Sequence, residues 1–397
     1  MKAMKIIKIT AAAMLSLALA LSAVSCQTGN NPSNESSTPS ASQSSPEVTT
    51  PGATTPEESA PEESTLKEEL TRPVIDYANM DLSIYITLGQ YKDLEIPIPQ
   101  KAVVDEAYVK GFLDSDLIYY GYSDKITDRA VTEDDTVSIS YAGYLDGVAF
   151  EGGTGDKDNF TIYDGGGFIP GFAEGLIGAT PGVLTDVNVT FPENYHSADL
   201  AGKAVVFKVT VHHIYEAKEL TDEIANDMTG GEYKTAEDLL KYYNEYLTNM
   251  VDTEFEEKKF DLTWSTISEK STVVSRPDDI INSLFDYEIA VAQESADQYG
   301  MDVDTLLSYQ GYTRESLKAA IEESVIYNIL IYSFIKAENF SVTDDEYYQF
   351  IEDSGYTEEE LLKSYTKEEL RDTVKFVLAQ ERAVEYQNFI ETDTEES

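Results

Sequence analysis

The stretch from Thr132 to Tyr215 constrains the fold of this chain most, because short strand-like runs alternate there with glycine turns. Val137-Ser-Ile-Ser-Tyr141 alternates apolar and polar residues, which is the period of a half-buried strand. After Glu216 the apolar residues recur at helical spacing instead. The order of the two patterns predicts an α+β chain in which an antiparallel sheet domain precedes an all-helical domain.

The first 25 residues have the pattern of an export signal. Lysines within the first eight residues precede an apolar run from Ile9 to Val24, which is too short for a comfortable transmembrane helix. Small residues then precede Cys26, the only cysteine of the chain, and this arrangement resembles a bacterial lipobox. We expect cleavage before Cys26 and lipidation of that residue, on the outer face of the cell membrane; ordinary secretion with an incidental cysteine is the alternative.

The composition after Cys26 limits the partners. Residues 26–80 are rich in Ser, Thr, Pro and Glu, cannot bury enough apolar surface to order themselves, and are predicted to be a disordered tether. The whole chain carries 74 acidic against 28 basic residues, a net charge of −46. Such a surface repels nucleic-acid phosphates and favours cationic partners. No motif calls for a nucleotide, a metal or another cofactor, and Gly165-Gly166-Gly167 is interpreted as a turn because no Lys-Ser/Thr follows it.

Local patterns predict the elements around the sheet domain. Residues 82–98 are predicted to form two short strands with a turn, and helices are predicted over 104–120, 314–339, 343–354, 357–364 and 367–389. Two further helices should begin at Thr235 and at Pro277, and Thr343 with Glu346 has the spacing of a capping box. One side of the helix after Thr235 is predicted to be apolar, with Leu239, Leu240, Tyr243, Leu247 and Met250. Residues 325–334 are apolar nearly all round, so they should be buried in a core or covered by a bound client.

Two segments of the sheet domain carry a family resemblance. Phe168-Ile-Pro-Gly-Phe-Ala-Glu-Gly-Leu176 and Thr190-Phe-Pro-Glu-Asn-Tyr-His196 together resemble the FKBP-type peptidyl-prolyl isomerase domain in the form carried by trigger factor. Gly89-Gln-Tyr-Lys-Asp-Leu-Glu95 resembles the connector that precedes that domain. The helices resemble the trigger factor C-terminal domain, an all-α chaperone domain of the trigger factor/SurA-like type. The domains are then 1–25 signal peptide, 26–80 tether, 81–130 strand-helix connector, 131–217 isomerase domain, 218–390 helical chaperone domain and 391–397 acidic tail.

The resemblance also implies the site. An aromatic pocket would hold the proline ring and favour the twisted amide, without a nucleophile, metal or cofactor. By resemblance, the side chains of the pocket are Tyr141 on its lining, Phe150 and Glu151 on its wall, Phe160 on the next strand, Phe168 and Ile169 near its base, Phe172 on its floor, Tyr195 and His196 on the loop above it, and Phe207 on the last strand. Ile169 would offer its backbone N–H to a client carbonyl. The FKBP prototype has a floor tryptophan and a wall aspartate, where this chain has Phe172 and Glu151. Which of Tyr195 and His196 is the loop donor stays open.

Three functions remain compatible with these observations. The first is an exported, lipid-anchored isomerase and ATP-independent chaperone for unfolded exported chains. It is not expected to dock on the ribosome, because the family's Gly-Phe-Arg-x-Gly-Lys docking loop is not found and a predicted signal peptide and tether occupy the corresponding part of the chain. The second is a holdase that uses the sheet domain only as a binding module. The third is a solute-binding or surface-adhesion lipoprotein, which would predict a two-lobed α/β pattern or surface repeats.

Overall fold

The structure, a computed structural model, describes residues 70–162, 167–195 and 197–392, with the side chain of Asp158 outside that description. The chain divides into two compact units. The first, unit 1, combines residues up to Gln100 with those from Glu256 onward, and the second, unit 2, runs from Lys101 to Phe255. In the described part of the chain no helix combines the length and the apolar composition that a membrane span requires.

Unit 2 contains the predicted antiparallel sheet. Its strands are β3 Ser123–Ile126, β4 Thr136–Leu145, β5 Val148–Thr161, β6 Leu184–Thr190 and β7 Ala204–Ala217. The strand order is β3-β7-β4-β5, and β6 also pairs with β7. Asp146 and Gly147, both at positive φ, connect β4 to β5 in a two-residue turn. This is the turn that matches the natural twist of an antiparallel pair, and Asp-Gly is a preferred sequence for it.

One face of this sheet packs on a short helical turn. The apolar members of the alternating β4 and β7 strands are buried, and Val137, Ile139, Val209 and Ile214 have 0% exposure. A 3-10 turn, Glu174–Leu176, covers them and buries Leu176. Gly175 in this turn faces Val187 of β6, and a Cβ there would lie 2.5 Å from the Val187 Cγ1. The predicted sheet wrapped on a short helix is therefore confirmed, and glycine at this position lets the two approach closely.

The helical part of unit 2 forms a separate core. It contains α1 Glu106–Tyr119, α2 Asp222–Met228 and the first part of α3 Ala236–Lys270. Leu239, Tyr243 and Leu247 of α3 pack with Leu113 and Leu117 of α1. Leu240 was predicted on the same apolar side, but it is 41% exposed. Positions 239, 243 and 247 follow the four-residue repeat of one helix face, and the next residue is turned about 100° away from it.

Unit 1 is built from two separated stretches of the chain. Its remaining α-helices, within the described residues, are α4 Asp278–Tyr299, α5 Val303–Tyr309, α6 Arg314–Ala337, α7 Asp344–Asp353, α8 Glu358–Leu361 and α9 Lys367–Glu385. Its strands are β1 Ile86–Thr87, β2 Glu95–Pro99, β8 Thr272–Val273 and β9 Asn388–Thr392. β1 pairs antiparallel with β8, and β2 pairs parallel with β9. The apolar segment of α6 is core, since Val325, Ile329, Ile331 and Phe334 are at most 1% exposed.

Several predicted boundaries in unit 1 hold and others are wrong. Thr343 and Glu346 form the predicted capping box at the start of α7. The helix predicted over 367–389 ends at Glu385 instead, because Asn388–Thr392 pairs with β2. Residues 82–98 contain a 3-10 turn, Leu82–Ile84, before the two strands. The helix predicted over 357–364 has one α-helical turn, Glu358–Leu361.

The motif that begins at Gly89 anchors the first stretch of unit 1 to its helices. The Gly89 N–H donates to the Ser271 Oγ at 3.0 Å, and a Cβ on Gly89 would lie 2.0 Å from the Lys270 carbonyl oxygen. Tyr91 donates through its hydroxyl to the Glu338 carboxylate at 2.9 Å, and the Lys92 Nζ lies 2.8 Å from that carboxylate. Burial would raise the pKa of Glu338, but these partners and Tyr386 outweigh it, so that the pKa is lowered.

Candidate functional site

An open cavity of about 950 Å³ lies in unit 2 at one end of the sheet. Aromatic and aliphatic side chains dominate its wall. The lining residues are Tyr141, Leu145, Phe150, Glu151, Gly152, Gly167, Phe168, Ile169, Pro170, Phe191, Tyr195, Ser197, Asp199, Leu200 and Phe207. Both segments that carry the family resemblance therefore contribute to one cavity, as that resemblance implies.

Strand register brings the first two rings together. Tyr141 of β4 lies opposite Val209, and Gly143 lies opposite Phe207 of β7. Side chains two residues apart share a face of a strand, so Tyr141 and Phe207 project on the same side, with ring centroids 6.2 Å apart. Gly143 leaves room for both neighbouring rings, because a Cβ there would lie 2.4 Å from the Phe150 Cζ and 2.8 Å from the Phe207 Cε1.

The aromatic wall has a second, fully buried layer. Phe168 stacks on Phe172 with centroids 4.0 Å apart and rings 6° from parallel. Phe160 meets Phe168 edge to face at 5.4 Å. Phe160 and Phe172 are each 0% exposed and do not line the cavity, although Phe172 was expected on its floor. Phe172 instead lies beneath Phe168, so it supports the lining ring and keeps water away from it.

Polar groups at the cavity are few. The Ile169 N–H, expected to meet a client carbonyl, donates to no protein acceptor in the described part of the chain. Tyr195 lines the cavity and packs against Phe191 at 4.5 Å, and Glu151 lies on β5 at the exposed edge of the cavity. His196 and Cys26, as well as the signal peptide and most of the tether, lie outside the described residues.

Sequence reasoning missed part of the lining. Leu145, Phe191, Leu200 and Asp199 all reach the cavity, although none was assigned a role. Phe191 lies within the second resemblance segment, and its position before Pro192 and Tyr195 was an available signal. Leu200 and Asp199 come from an irregular loop whose position depends on long-range backbone hydrogen bonds. The Phe191 N–H donates to the Lys203 carbonyl at 3.0 Å and closes the base of that loop.

An ion pair between the exposed Arg129 and the buried Asp135 fixes the chain where it enters β4. Arg129 donates two hydrogen bonds to the Asp135 carboxylate, at 2.6 and 2.7 Å, and the Thr132 N–H donates a third at 2.7 Å. Burial would raise the pKa of Asp135, but these hydrogen bonds outweigh it and lower the pKa. The pair orders residues 129–135 against the end of β5, where the Ile162 N–H donates to the Asp135 carbonyl at 2.9 Å.

Family models match both halves of the chain. Residues 127–212 match FKBP-type peptidyl-prolyl cis-trans isomerase, and residues 235–387 match the bacterial trigger factor C-terminus. Trigger factor of Staphylococcus saprophyticus is 33% identical over 275 residues, which cover 68% of this chain and 62% of that protein. Trigger factor of Streptococcus pyogenes is 32% identical over 314 residues, which cover 76% of this chain and 71% of that protein. A solved structure of the trigger factor chaperone has 16% identity and a TM-score of 0.30, with 75% of this chain and 71% of that chain covered.

The sheet, its aromatic cavity and the helices after it thus define an FKBP-type domain joined to a trigger factor C-terminal domain. The chain belongs to the trigger factor family. The match spans somewhat less than two thirds of the length of the staphylococcal relative. Membership of this family does not fit the third function considered above, a solute-binding or surface-adhesion protein.

Proposed function

We propose that this chain catalyses cis–trans isomerisation of X-Pro bonds and that its helices act as an ATP-independent chaperone for unfolded polypeptides. The observation that carries the proposal is the aromatic cavity of unit 2, which has the size and apolar character of a small-ligand site. Rotation about an X-Pro bond must cross a barrier of about 18–20 kcal/mol, because the twisted amide loses its resonance. A site accelerates rotation if it binds the twisted amide better than either planar form.

The cavity offers two means to do so. Tyr141, Phe150, Phe168 and Phe207 form apolar walls against which a proline ring can pack, with the amide shielded from the water that stabilises its planar, polar resonance form. The Ile169 N–H supplies a donor for the client carbonyl, since no acceptor within the described protein occupies it. Neither step transfers a proton or forms a covalent bond, so the activity requires no cofactor.

Peptide exchange measured by NMR tests the isomerase. Residues 27–397 of the chain should raise the cis–trans exchange rate of an Ala-Leu-Pro-Phe peptide. Tyr141→Ala should lower the catalytic efficiency, kcat/KM, at least about 10-fold, which corresponds to a loss of about 1.4 kcal/mol of transition-state binding. Tyr144→Ala is the matched control, because Tyr144 lies on the same strand, is also half-buried and does not line the cavity. A folded wild-type protein that leaves the exchange rate unchanged would refute the isomerase.

The alternative is a holdase that uses the sheet domain only for binding. It is favoured by the tyrosines exposed on α3, since Tyr242 is 41% and Tyr246 51% exposed and the two rings stack at 5.8 Å. The two functions differ in catalysis. A holdase should suppress aggregation of a proline-free client equally well with or without the substitutions Tyr141→Ala and Phe172→Ala and should not accelerate X-Pro exchange, whereas the isomerase accelerates that exchange and needs the intact cavity to do so.

The cellular location is a separate part of the proposal. We place the protein outside the cytoplasm, anchored through a lipidated Cys26, where it acts on exported proteins rather than at the ribosome. The support is the signal-like sequence before Cys26 and the polar composition of the tether after it. Metabolic labelling with a radioactive fatty acid should mark the wild-type protein and not Cys26→Ser. Wild-type protein that stays unlabelled, or that sediments with ribosomes, would contradict this location.

A further inference from the structure

We infer that the outer edge of β9, Asn388–Thr392, binds an extended segment of an unfolded polypeptide, which adds to unit 1 as a third strand beside β2 and β9. The inference deepens the proposed chaperone function and rests on it. In the described part of the chain β9 pairs with β2 alone, so each of these two strands has one edge without a neighbouring strand. An unpaired edge is a template on which another chain can form a backbone ladder.

The register shows which backbone groups of β9 point outward. The pairing with β2 is parallel, and the Asn388 N–H donates to the Leu94 carbonyl at 2.8 Å. Because alternate residues of a parallel strand direct both backbone groups at the partner, Asn388 and Ile390 face β2. Phe389 and Glu391 therefore direct their N–H and carbonyl groups away from it. Within the described residues neither of these two N–H groups donates to a protein acceptor.

The outer edge of β2 is closed by proline, and that of β9 is not. By the same register Ile96 and Ile98 face β9, so Pro97 and Pro99 occupy the outward positions of β2. Proline has no N–H to donate, and it is a common protection of exposed strand edges. The sequence of β9 contains no proline. Of these two strands, only β9 offers an incoming chain both donors and acceptors.

Charge favours one occupant of this edge over the others. Glu391 is exposed, and the sequence adds three acidic residues within 393–397. Lys259, whose ammonium lies 5.6 Å from the Phe389 ring centroid, already pairs with Glu256 at 2.9 Å. A second copy of β9 would bring two acidic strands together, and the tether of this chain is acidic as well. An extended segment that carries lysine or arginine is attracted instead.

The backbone ladder also sets what the edge can accept. Ile390 is 47% exposed and can pack beside the side chains of an added strand, whereas Phe389 packs against the core of unit 1. Because the ladder uses backbone groups, many side chains are tolerated, but a proline at a pairing position removes a donor. The edge therefore takes proline-free segments of a client, while the cavity of unit 2 takes its X-Pro bonds.

The test gives β9 the protection that β2 already has. Glu391→Pro removes one outward N–H and leaves the groups of Asn388 and Ile390 that pair with β2. Glu391→Ala is the matched control, because it removes the same charge and keeps the N–H. Fluorescence anisotropy measures binding of a labelled Lys-Val-Thr-Val-Thr-Val-Lys peptide to residues 27–397. Glu391→Pro should bind about 5-fold or more weakly than Glu391→Ala, which is the effect of one lost hydrogen bond.

A second measurement needs no variant of the protein. The same peptide, N-methylated at its five central residues, cannot donate to the edge, and wild-type protein should no longer bind it. Wild-type binding of the methylated peptide, or equal binding of the unmodified peptide by folded Glu391→Pro and Glu391→Ala, would overturn the edge as a binding site. A circular dichroism melt shows that both variants are folded.

The other occupants have their own signatures. A dimer in sedimentation that Glu391→Pro abolishes would assign the edge to a second copy of the chain. Peptide affinity that rises after deletion of residues 1–69 would assign the edge to the tether, and either result overturns the client as its occupant. The chaperone function fails separately if wild-type protein binds the peptide but does not suppress aggregation of a proline-free client.

Discussion

Phe172 shows at the residue scale how the cavity depends on a side chain behind it. Its ring stacks on Phe168 at 4.0 Å and meets Phe207 edge to face at 5.1 Å. We predict that Phe172→Leu lowers the free energy of unfolding of unit 2 by about 1–3 kcal/mol, because ring contacts and packing volume are both lost. Phe112→Leu is the matched control, since Phe112 is 41% exposed on α1, and it should change stability by less than about 0.5 kcal/mol. Urea unfolding followed by circular dichroism measures both; equal effects would contradict the supporting role.

Asp135 gives a prediction about pH at the same scale. The pKa of Asp135 is lowered in the folded protein. Its contribution to stability is therefore fully present above the unfolded-state pKa of about 3.9 and is lost as the pH falls through the lower pKa of the folded state. We predict that Asp135→Asn costs about 2 kcal/mol at pH 7, because the charged hydrogen bonds from Arg129 are lost, and that the difference from wild type shrinks below pH 4.

The measurement for Asp135 is the urea midpoint of wild type and variant at pH 7 and at pH 3. The comparison of two proteins at each pH removes the effect of the other acidic residues, of which the chain has many. Asp134→Asn, which changes the neighbouring exposed acid, should give the same difference in urea midpoint from wild type at both pH values. If the difference for Asp135→Asn is also independent of pH, the charge of Asp135 does not contribute to stability.

At Gly89 the end of α3 packs closely against the first stretch of unit 1. A Cβ on Gly89 would lie 2.0 Å from the Lys270 carbonyl oxygen, which is backbone and cannot move aside cheaply. We predict that Gly89→Ala destabilises unit 1 by about 1–3 kcal/mol. Gly111→Ala is the matched control with the opposite sign: Gly111 lies within α1 with open space around it, so alanine should stabilise that helix by about 0.5–1 kcal/mol. Scanning calorimetry would contradict the prediction if both changes shifted the transition in the same direction.

Elements also show how far the sequence could predict this fold. The capping boxes before α7 and α9 involve residues three apart, so Thr343-Glu346 could be recognised directly and Thr366-Glu369 repeats the pattern. The end of α9 could not be predicted in this way. Residues 386–389 fit a helical pattern, but β9 gains its hydrogen bonds from β2, almost 300 residues earlier in the chain. No local window contains that partner.

On the scale of the whole molecule, unit 1 is discontinuous. Leu82, Ile86, Leu94 and Ile96 are at most 3% exposed within the core that α6 and α9 complete. We predict that deletion of residues 1–100 removes the cooperative unfolding of unit 1, because it exposes that core and removes β1 and β2, whereas unit 2 keeps both of its cores.

Hydrogen exchange with mass spectrometry distinguishes the two units in this experiment. Amides of α6 should lose protection in the 101–397 chain, and amides of β4 and β7 should keep it. Deletion of residues 1–69 is the matched control and should leave α6 protected, since residues 26–69 have the polar composition predicted for a tether and residues 70–100 are kept. Full protection of α6 after removal of residues 1–100 would show that the first stretch contributes little to the core.

The sequence by itself determined the class of the fold, the family and most of the aromatic side chains that meet at the cavity. These follow from strand and helix periods, glycine turns and short motifs, all of which act through neighbours along the chain. Only the tertiary structure decided that Phe172 lies beneath Phe168 rather than on the cavity surface, that Asp199 lines the cavity, and that β9 is a strand. The physical reason is that burial and strand pairing depend on contacts between segments far apart in the chain, and a local sequence pattern does not contain the residues of the distant segment.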